Sequence, residues 1–492
     1  MDVPLPLPLL LGSLAVSVVC VVPPAPPRRG REEGEAAAAA RSPGLAGAGQ
    51  PAAEYGPLFR LRFGSAEVVV AASARVAAQF LRAHDANFSN RPPNSGAEHV
   101  AYNYQDLVFA PYGSRWRALR KLCALHLFSA KALDDLRGVR EGEVALMVRE
   151  LARHQHAPVV LGQVANVCAI NTLARATVGR RVFAVDGGEE AREFKDMVVE
   201  LMQLAGVFNV GDFGVVGKMK RLHRRYDDMM NGIIRERKAA GEGKDLLSVL
   251  LARMREQQPL ADGEDSRINE TDIKALLLNL FTAGTDTTSS TVEWALAELI
   301  RHPDVLKKAQ QELDAVVGRD RLVSETDLPR LTYLTAVIKE TFRLHPSTPL
   351  SLPRVAAEEC EVDGFRIPAG TTLLVNVWAI ARDPEAWPEP LQFRPGRFLP
   401  GGSHAGVDVK GSDFELIPFG AGRRICAGLS WGLRMVTLMT ATLVHALDWD
   451  LADGMTAGKL DMEEAYGLTL QRAVPLMVRP APRLLPSAYA AE

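Results

Sequence analysis

The sequence predicts a mainly α-helical fold with a minor β region, organised as a single large domain. Three observations carry this. Apolar residues recur at three- and four-residue spacing from about residue 73 to 345, the period of helices that bury one face. One such run, from Asn269 to Pro303, makes a helix of about 32 residues and about 48 Å, far longer than an ordinary globular helix. Beyond it, "ECEVDGFRIPAGTTLLVNV" (residues 359–377) is rich in turn residues and carries short strand-like runs.

The elements follow in order. Residues 4–22, "PLPLPLLLGSLAVSVVCVV", are apolar and uncharged, about long enough for a bilayer core of ~30 Å. Arg28, Arg29 and Arg31 follow at once. Basic residues after an apolar run keep the remaining chain in the cytosol, so residues 1–22 read as an N-terminal membrane anchor. Residues 23–53, rich in Pro, Gly and Ala, read as a linker, and 54–492 as the folded domain. "LFRLRFGSAEVVVAAS" alternates around Gly64-Ser65, a β-hairpin pattern. Asn269 is a ready N-cap for the long helix, and a last long helix starts after Cys426. The apolar stretch 427–447 contains Arg434 and His445, which favour a buried core helix over a second membrane span.

Composition limits the function. The chain has 492 residues, 47% of them hydrophobic, and a net charge of −2, which gives no electrostatic footprint for nucleic acid. Cys20, Cys123, Cys168, Cys360 and Cys426 are odd in number and widely spaced, which argues against a disulfide framework or a zinc ribbon.

Three stretches carry candidate chemistry. In "PFGAGRRICAG" (418–428) a helix opening just after Cys426 aims unpaired N–H groups at the sulfur. Arg423 and Arg424 add positive charge, so the loop favours a thiolate of lowered pKa, the form that ligates metal. Its glycines admit a large flat partner, and Phe419 can shield the sulfur. A buried structural thiol is the plainer alternative. In "LFTAGTDTTSSTVEW" (280–294) Gly284 and the hydroxyl residues Thr285, Thr287, Thr288, Ser289 and Ser290 are poor choices for a helix interior. Ala283 and Thr287 share one face, small residues leave room for a ligand, and Asp286 with Thr287 can relay protons. In "KETFRLHP" (339–346) Glu340 and Arg343 stand i, i+3 among apolar residues, so they can form a buried pair. The "GLSWG" at 428–432 matches a nucleophile elbow but lacks the strand that motif needs before Ser430.

Taken together, Phe419-Gly422-Arg424-Cys426-Gly428, Ala283-Gly284-Asp286-Thr287 and Glu340-Arg343, in this order and spacing, resemble the cytochrome P450 family of haem-thiolate monooxygenases over roughly residues 54–484. The resemblance implies the cytochrome P450 fold, with haem b between the long central helix and the cysteine loop. It implies Cys426 as axial iron ligand and Thr287 with Asp286 as the proton supply to bound dioxygen. Trp116 and Arg120 of "WRALR", with Arg424 and Arg354, would hold the haem propionates. Glu340 and Arg343 would lock to Arg397 of "FRPGRF", where Gly396 replaces the family's usual acid. "SNRPPNSGAEHVAYNYQDLVFAPYGSRWR", "GVDVKGSDFELIPFGAGRRICAGLSWGLRMV" and "AYGLTLQRA" are similar to plant flavonoid 3'-hydroxylases, with Thr469 expected against the substrate. That likeness implies a flavonoid substrate, dioxygen, and electrons from NADPH through a reductase docking near Arg117, Lys121 and Arg423. It also implies an endoplasmic reticulum membrane location with the catalytic domain facing the cytosol.

Two departures qualify the resemblance. The family's PPGP-type hinge is replaced by "PPAPPRRGREEGEAAAAARSPG", and the chain is shorter between Phe213 and Gly214, where a lid over the substrate channel belongs. A haem-binding but inactive variant is therefore an alternative function, as are a monooxygenase of another plant phenolic and an isomerase or dehydratase using a preformed peroxide. The last needs no proton relay, and Asp286-Thr287 argues against it.

Overall fold

A computed structural model describes residues 19–22, 55–63, 66–155, 157–184, 188–206, 213–241, 243–257 and 267–490. Residues 1–18 of the expected anchor, the linker at 23–53 and the turn at Gly64-Ser65 lie outside the described residues. No helix among the described residues is long and apolar enough to cross a membrane. The end of the apolar run is strand rather than helix: β1 (Val19–Val22) lies against β2 (Leu58–Phe63), with Val19 opposite Phe63. Its valines are β-branched and suit a pleated edge.

The helices that position the site are α1 (Ser114–Cys123), α2 (Arg137–Arg153), α3 (Leu161–Val178), α4 (Gly188–Gly206), α5 (Phe213–Ala240), α6 (Glu270–Arg301), α7 (Pro303–Val317), α8 (Thr332–Leu344) and α9 (Leu429–Ala446). α6 is the expected long helix, 32 residues from a capping box in which Asn269 and Asp272 satisfy each other's backbone N–H. It ends where Pro303 opens α7. α3, α5, α8 and α9 all pack on it, so α6 is buried on nearly every side, which explains its weak amphipathic pattern. α9 is the expected core helix. Its His445 is fully buried and bonds the Gly318 carbonyl at 2.6 Å, while Arg434 reaches out to Asp134 and Glu325. Ser430 lies in its first turn after a 3-10 segment, Gly422–Arg424, so no elbow forms.

The main sheet runs β1-β2-β3-β5-β4, with β3 at Ala66–Ala71, β4 at Arg354–Val355 and β5 at Thr372–Val375. β2 and β3 are the predicted hairpin pair, Phe63 opposite Ala66. This sheet carries its own small core around Val69, Phe80, Leu373 and Ile417, beside the helical one. A second short hairpin, β6 (Glu464–Tyr466) with β7 (Leu470–Arg472), reaches back onto α6.

Candidate active site

The cysteine loop is shaped by two glycines and a carboxylate. Gly420 and Gly422 both have φ near +70°, a left-handed conformation that glycine adopts without strain. A Cβ on Gly422 would meet Asp85 Oδ1 at 2.3 Å and the Leu81 carbonyl at 2.5 Å, so no larger residue fits. Asp85 accepts from the Arg423 backbone N–H at 3.0 Å and its Nη1 at 2.9 Å. The loop then turns so that the Cys426 N–H donates to the Phe419 carbonyl at 3.0 Å, and Phe419 stacks edge-on against Phe342 of α8.

The thiol environment departs from the sequence expectation. Burial raises the Cys426 pKa, and the Gly428 N–H and the Arg120 charge only partly oppose it. Arg423 turns away to Asp85, and Arg424 to the Ser89 and Ala110 carbonyls at 2.7 and 2.6 Å, so neither of the paired arginines stabilises a thiolate. Arg120 takes that place, donating to the Ile425 carbonyl at 2.7 Å. Cys426 is nonetheless exposed, so the fold leaves an open recess beside the cysteine loop.

Beside this recess guanidiniums crowd together. Arg424 and Arg120 both lie over Trp116, 4.5 and 5.3 Å from its ring centroid, while the Trp116 N–H donates to the Leu107 carbonyl at 2.9 Å. Arg354 donates to the Ala421 carbonyl at 2.7 Å, and Arg91 holds the Leu352 and Pro353 carbonyls at 2.8 Å. Burial, then mutual repulsion, pushes Arg424 down to about 10, burial pushes Arg354 to about 10, and burial with both neighbours lowers Arg91. Asp85 and Asp106 offset part of the charge. Burial raises Asp106 to about 6 although Asn279 of α6 donates to it at 3.0 Å. Arg424 Nη1 is buried without a partner.

Glu340, Arg343 and Arg397 meet as expected. Arg343 donates to both Glu340 oxygens at 2.7 and 2.8 Å, and Arg397 Nε to Glu340 at 3.2 Å. The arginines' other nitrogens hold the carbonyls of Ala381, Pro390, Pro388 and Glu389, tying the 381–397 loop to α8.

Along α6, Asn279, Ala283, Gly284 and Thr287 are half-buried while most of their neighbours are buried. Asn279, Ala283 and Thr287 are spaced i, i+4, i+8, so one stripe of the helix faces open space. Thr287 donates back to the Ala283 carbonyl at 2.7 Å. A Cβ on Gly284 would meet Leu173 of α3 at 2.6 Å, so this glycine serves the close approach of two helices. Asp286 is buried at 3% exposure and accepts from Thr469 Oγ1 at 2.7 Å and Gln471 Nε2 at 2.9 Å. Thr469 thus spends its hydroxyl proton on Asp286.

A profile of the family "Cytochrome P450" matches residues 49–476. The chain belongs to the cytochrome P450 family. A flavonoid 3'-monooxygenase of Oryza sativa subsp. japonica is 76% identical over 532 aligned residues, which take in 99% of this chain and 100% of that protein. The alignment is longer than this chain's 492 residues, so the relative carries residues that this chain lacks. A flavonoid 3'-monooxygenase of Petunia hybrida is 63% identical, covering 88% and 87%, and a flavonoid 3',5'-hydroxylase of Solanum melongena 47% identical, covering 88% and 86%. A zebra fish cytochrome P450 solved with progesterone superposes with a TM-score of 0.76 at 26% identity, covering 88% of this chain and 98% of that one.

Haem iron held by a cysteine thiolate is the cofactor of a cytochrome P450, and the residues here fit it. The donor facing the recess is a thiol, and the cation-rich rim with an unpartnered guanidinium nitrogen suits the two carboxylates of haem. Reading the sequence missed Arg91, Asp85, Asp106, Asn279 and Gln471. Two of these left a signal: Asn279 stands four residues before Ala283 on the same helix face, and Gln471 stands two residues after Thr469 at the entry to a strand.

Proposed function

We propose that this cytochrome P450 hydroxylates the 3' position of the flavonoid B-ring. One atom of dioxygen becomes the new hydroxyl, the other leaves as water, and a reductase passes in two electrons from NADPH. The observation that carries the reading is the 76% identity to a rice flavonoid 3'-monooxygenase along 99% of the chain, above the 47–58% shared with curated flavonoid 3',5'-hydroxylases.

In this reading the Cys426 thiolate would hold the haem iron, and Arg424, Arg354 and Arg120, with Trp116 beside them, would hold the haem carboxylates. Bound there, haem supplies iron for dioxygen activation, with electron donation from the thiolate favouring O–O cleavage. Phe419, Gly422 and Gly428 shape the loop, and Glu340, Arg343 and Arg397 brace the chain beneath it. The open stripe at Asn279, Ala283 and Thr287, with Gly284 beside it letting α3 pack close, is the wall on which substrate and dioxygen would meet, with Thr287 and Asp286 supplying protons. Arg117, Lys121 and Arg423 are exposed on the cysteine side and suit an acidic reductase face. Endoplasmic reticulum attachment rests on the apolar run and Arg28, Arg29 and Arg31. With Val19–Val22 in the sheet, residues 1–18 would carry it.

The test is a carbon monoxide difference spectrum of the reduced protein, then reductase-driven turnover of a 4'-hydroxylated flavanone with chromatography of the products. A thiolate-type Soret band lost in Cys426→Ala, and a 3'-hydroxylated product, are expected. A thiolate band without any flavonoid product would overturn the substrate assignment. It would favour the inactive variant, a reading supported by the residues this chain lacks relative to the rice protein.

A further inference from the structure

The carboxylate of Asp286 is held from outside its own helix. Thr469 and Gln471 stand at i and i+2 across the entry to β7, so both side chains leave one face of the strand, and both end on Asp286, at 2.7 Å from Thr469 and at 2.9 and 3.2 Å from Gln471. The residue between them pins the strand: the Leu470 carbonyl accepts from Ser290 of α6 at 2.9 Å, and its N–H donates to the Ser347 carbonyl at 2.9 Å. Leu470 itself is buried at 1% exposure. The hairpin is therefore docked in one register, and that register fixes where the acid points.

We propose that Gln471 and Thr469 are positioning residues for Asp286, holding its carboxylate in one orientation so that proton supply at the adjacent Thr287 depends on the C-terminal hairpin. This rests on the reading of Asp286 as a proton-supplying residue. Three hydrogen bonds from neutral donors stabilise the anion, and without them a buried carboxylate either protonates or swings to another partner. The other charged or titratable groups around it are Lys195 of α4, Tyr226 of α5 and Glu293 on α6 itself. Burial raises the Asp286 pKa, while Thr469, Gln471 and Lys195 each hold it down. Removing one donor raises it further, so any step that needs the ionised form loses its low-pH range first.

The experiment measures coupling, the fraction of NADPH electrons recovered as hydroxylated product, against pH for the reductase-supported holoenzyme. The variants are Gln471→Leu, Thr469→Val, Thr469→Ser, Asp286→Asn and the double variant Asp286→Asn/Gln471→Leu. Gln471→Leu and Thr469→Val should lower coupled turnover about tenfold, the scale of one hydrogen bond to a charged acceptor, and release peroxide. Their acid limb should move to higher pH while haem content and substrate-induced spectra stay as in wild type. Thr469→Ser, which keeps the hydroxyl, should restore both. The double variant should be no worse than Asp286→Asn alone, because a residue acting through Asp286 has nothing left to position.

If Asp286→Asn leaves coupling and its pH profile intact, the reading of Asp286 fails and the inference with it. If Asp286→Asn uncouples but Gln471→Leu adds its full loss on top, the positioning role alone is overturned. A change confined to KM or product pattern in Thr469→Val and Gln471→Leu overturns that role too, since it marks them as substrate wall. Should Gln471→Leu fail to hold haem, the near-isosteric pair Thr469→Val and Thr469→Ser decides by the same criteria.

Discussion

Two buried groups of arginines sit near the cysteine loop, and they are neutralised in opposite ways. In the first, Glu340 lies between Arg343 and Arg397, and all the guanidinium nitrogens end on its carboxylate or on carbonyls of the 381–397 loop. In the second, Arg91, Arg354 and Arg424 repel one another, burial and that repulsion lower the pKa of Arg424 to about 10, and one Arg424 nitrogen has no partner. The difference separates structure from binding. A saturated group holds the chain to itself, whereas a cationic group left short of anions is arranged for an anion that the chain does not supply.

The largest effect expected from this contrast is at the saturated group. Arg343→Leu strips the fully buried Glu340 of its two-pronged partner and leaves it only the Arg397 Nε and the Arg394 N–H, and losing one partner of such a buried pair costs about 3 kcal/mol. Urea unfolding of the apoprotein should show this loss in full, with haem added or withheld. A variant as stable as wild type would mean that the clamp is ornamental.

Arg424→Leu should behave the other way. The apoprotein loses two carbonyl bonds but is relieved of a desolvated, repelled cation, so its unfolding midpoint should move little, by about 1 kcal/mol or less. Haem retention should suffer instead, with release to apomyoglobin faster by roughly ten- to a hundredfold, the range for a hydrogen bond to a charged group. Equal losses in apo stability and in haem retention would erase the distinction between the two arginine groups.

The same contrast explains what the sequence made legible. Glu340 and Arg343 are one helical turn apart, so spacing alone pairs them, and the long helix shows itself through Asn269, Pro303 and an unbroken apolar period. Cys426 is visible because glycines and arginines crowd about it. The partners that complete the site are distant in the chain: Asp85 under Gly422, Asn279 beneath the 106–109 loop, Gln471 on Asp286. Hydrogen bonds across such long stretches of chain leave no periodicity to read. Local rules also misassigned charge: Arg423 and Arg424 neighbour Cys426 in sequence, yet both point elsewhere, and Arg120 from α1 is the cation near the sulfur.

The smallest effect concerns Gly396, which stands where the family carries an acid beside the clamp arginine. A missing acid suggests a weakened clamp, but Arg397 already has Glu340 and the Pro388 and Glu389 carbonyls, so its guanidinium needs no second carboxylate. A Cβ at 396 meets nothing within 4 Å, and the backbone there does not require glycine. Gly396→Glu should therefore fit without strain. Its gain comes from restricting the unfolded chain, about 0.4–1 kcal/mol, plus at most a weak attraction to Arg394, which is half-exposed and already paired with Glu389. Urea midpoints of the Gly396→Glu and Gly396→Ala apoproteins separate these two contributions, since alanine keeps the first and lacks the second. The two should agree within about 0.5 kcal/mol, the usual size of a surface pair. A glutamate variant more stable than the alanine one by several kcal/mol would show that the clamp is short of negative charge, and would move it into the same class as the arginines around the recess.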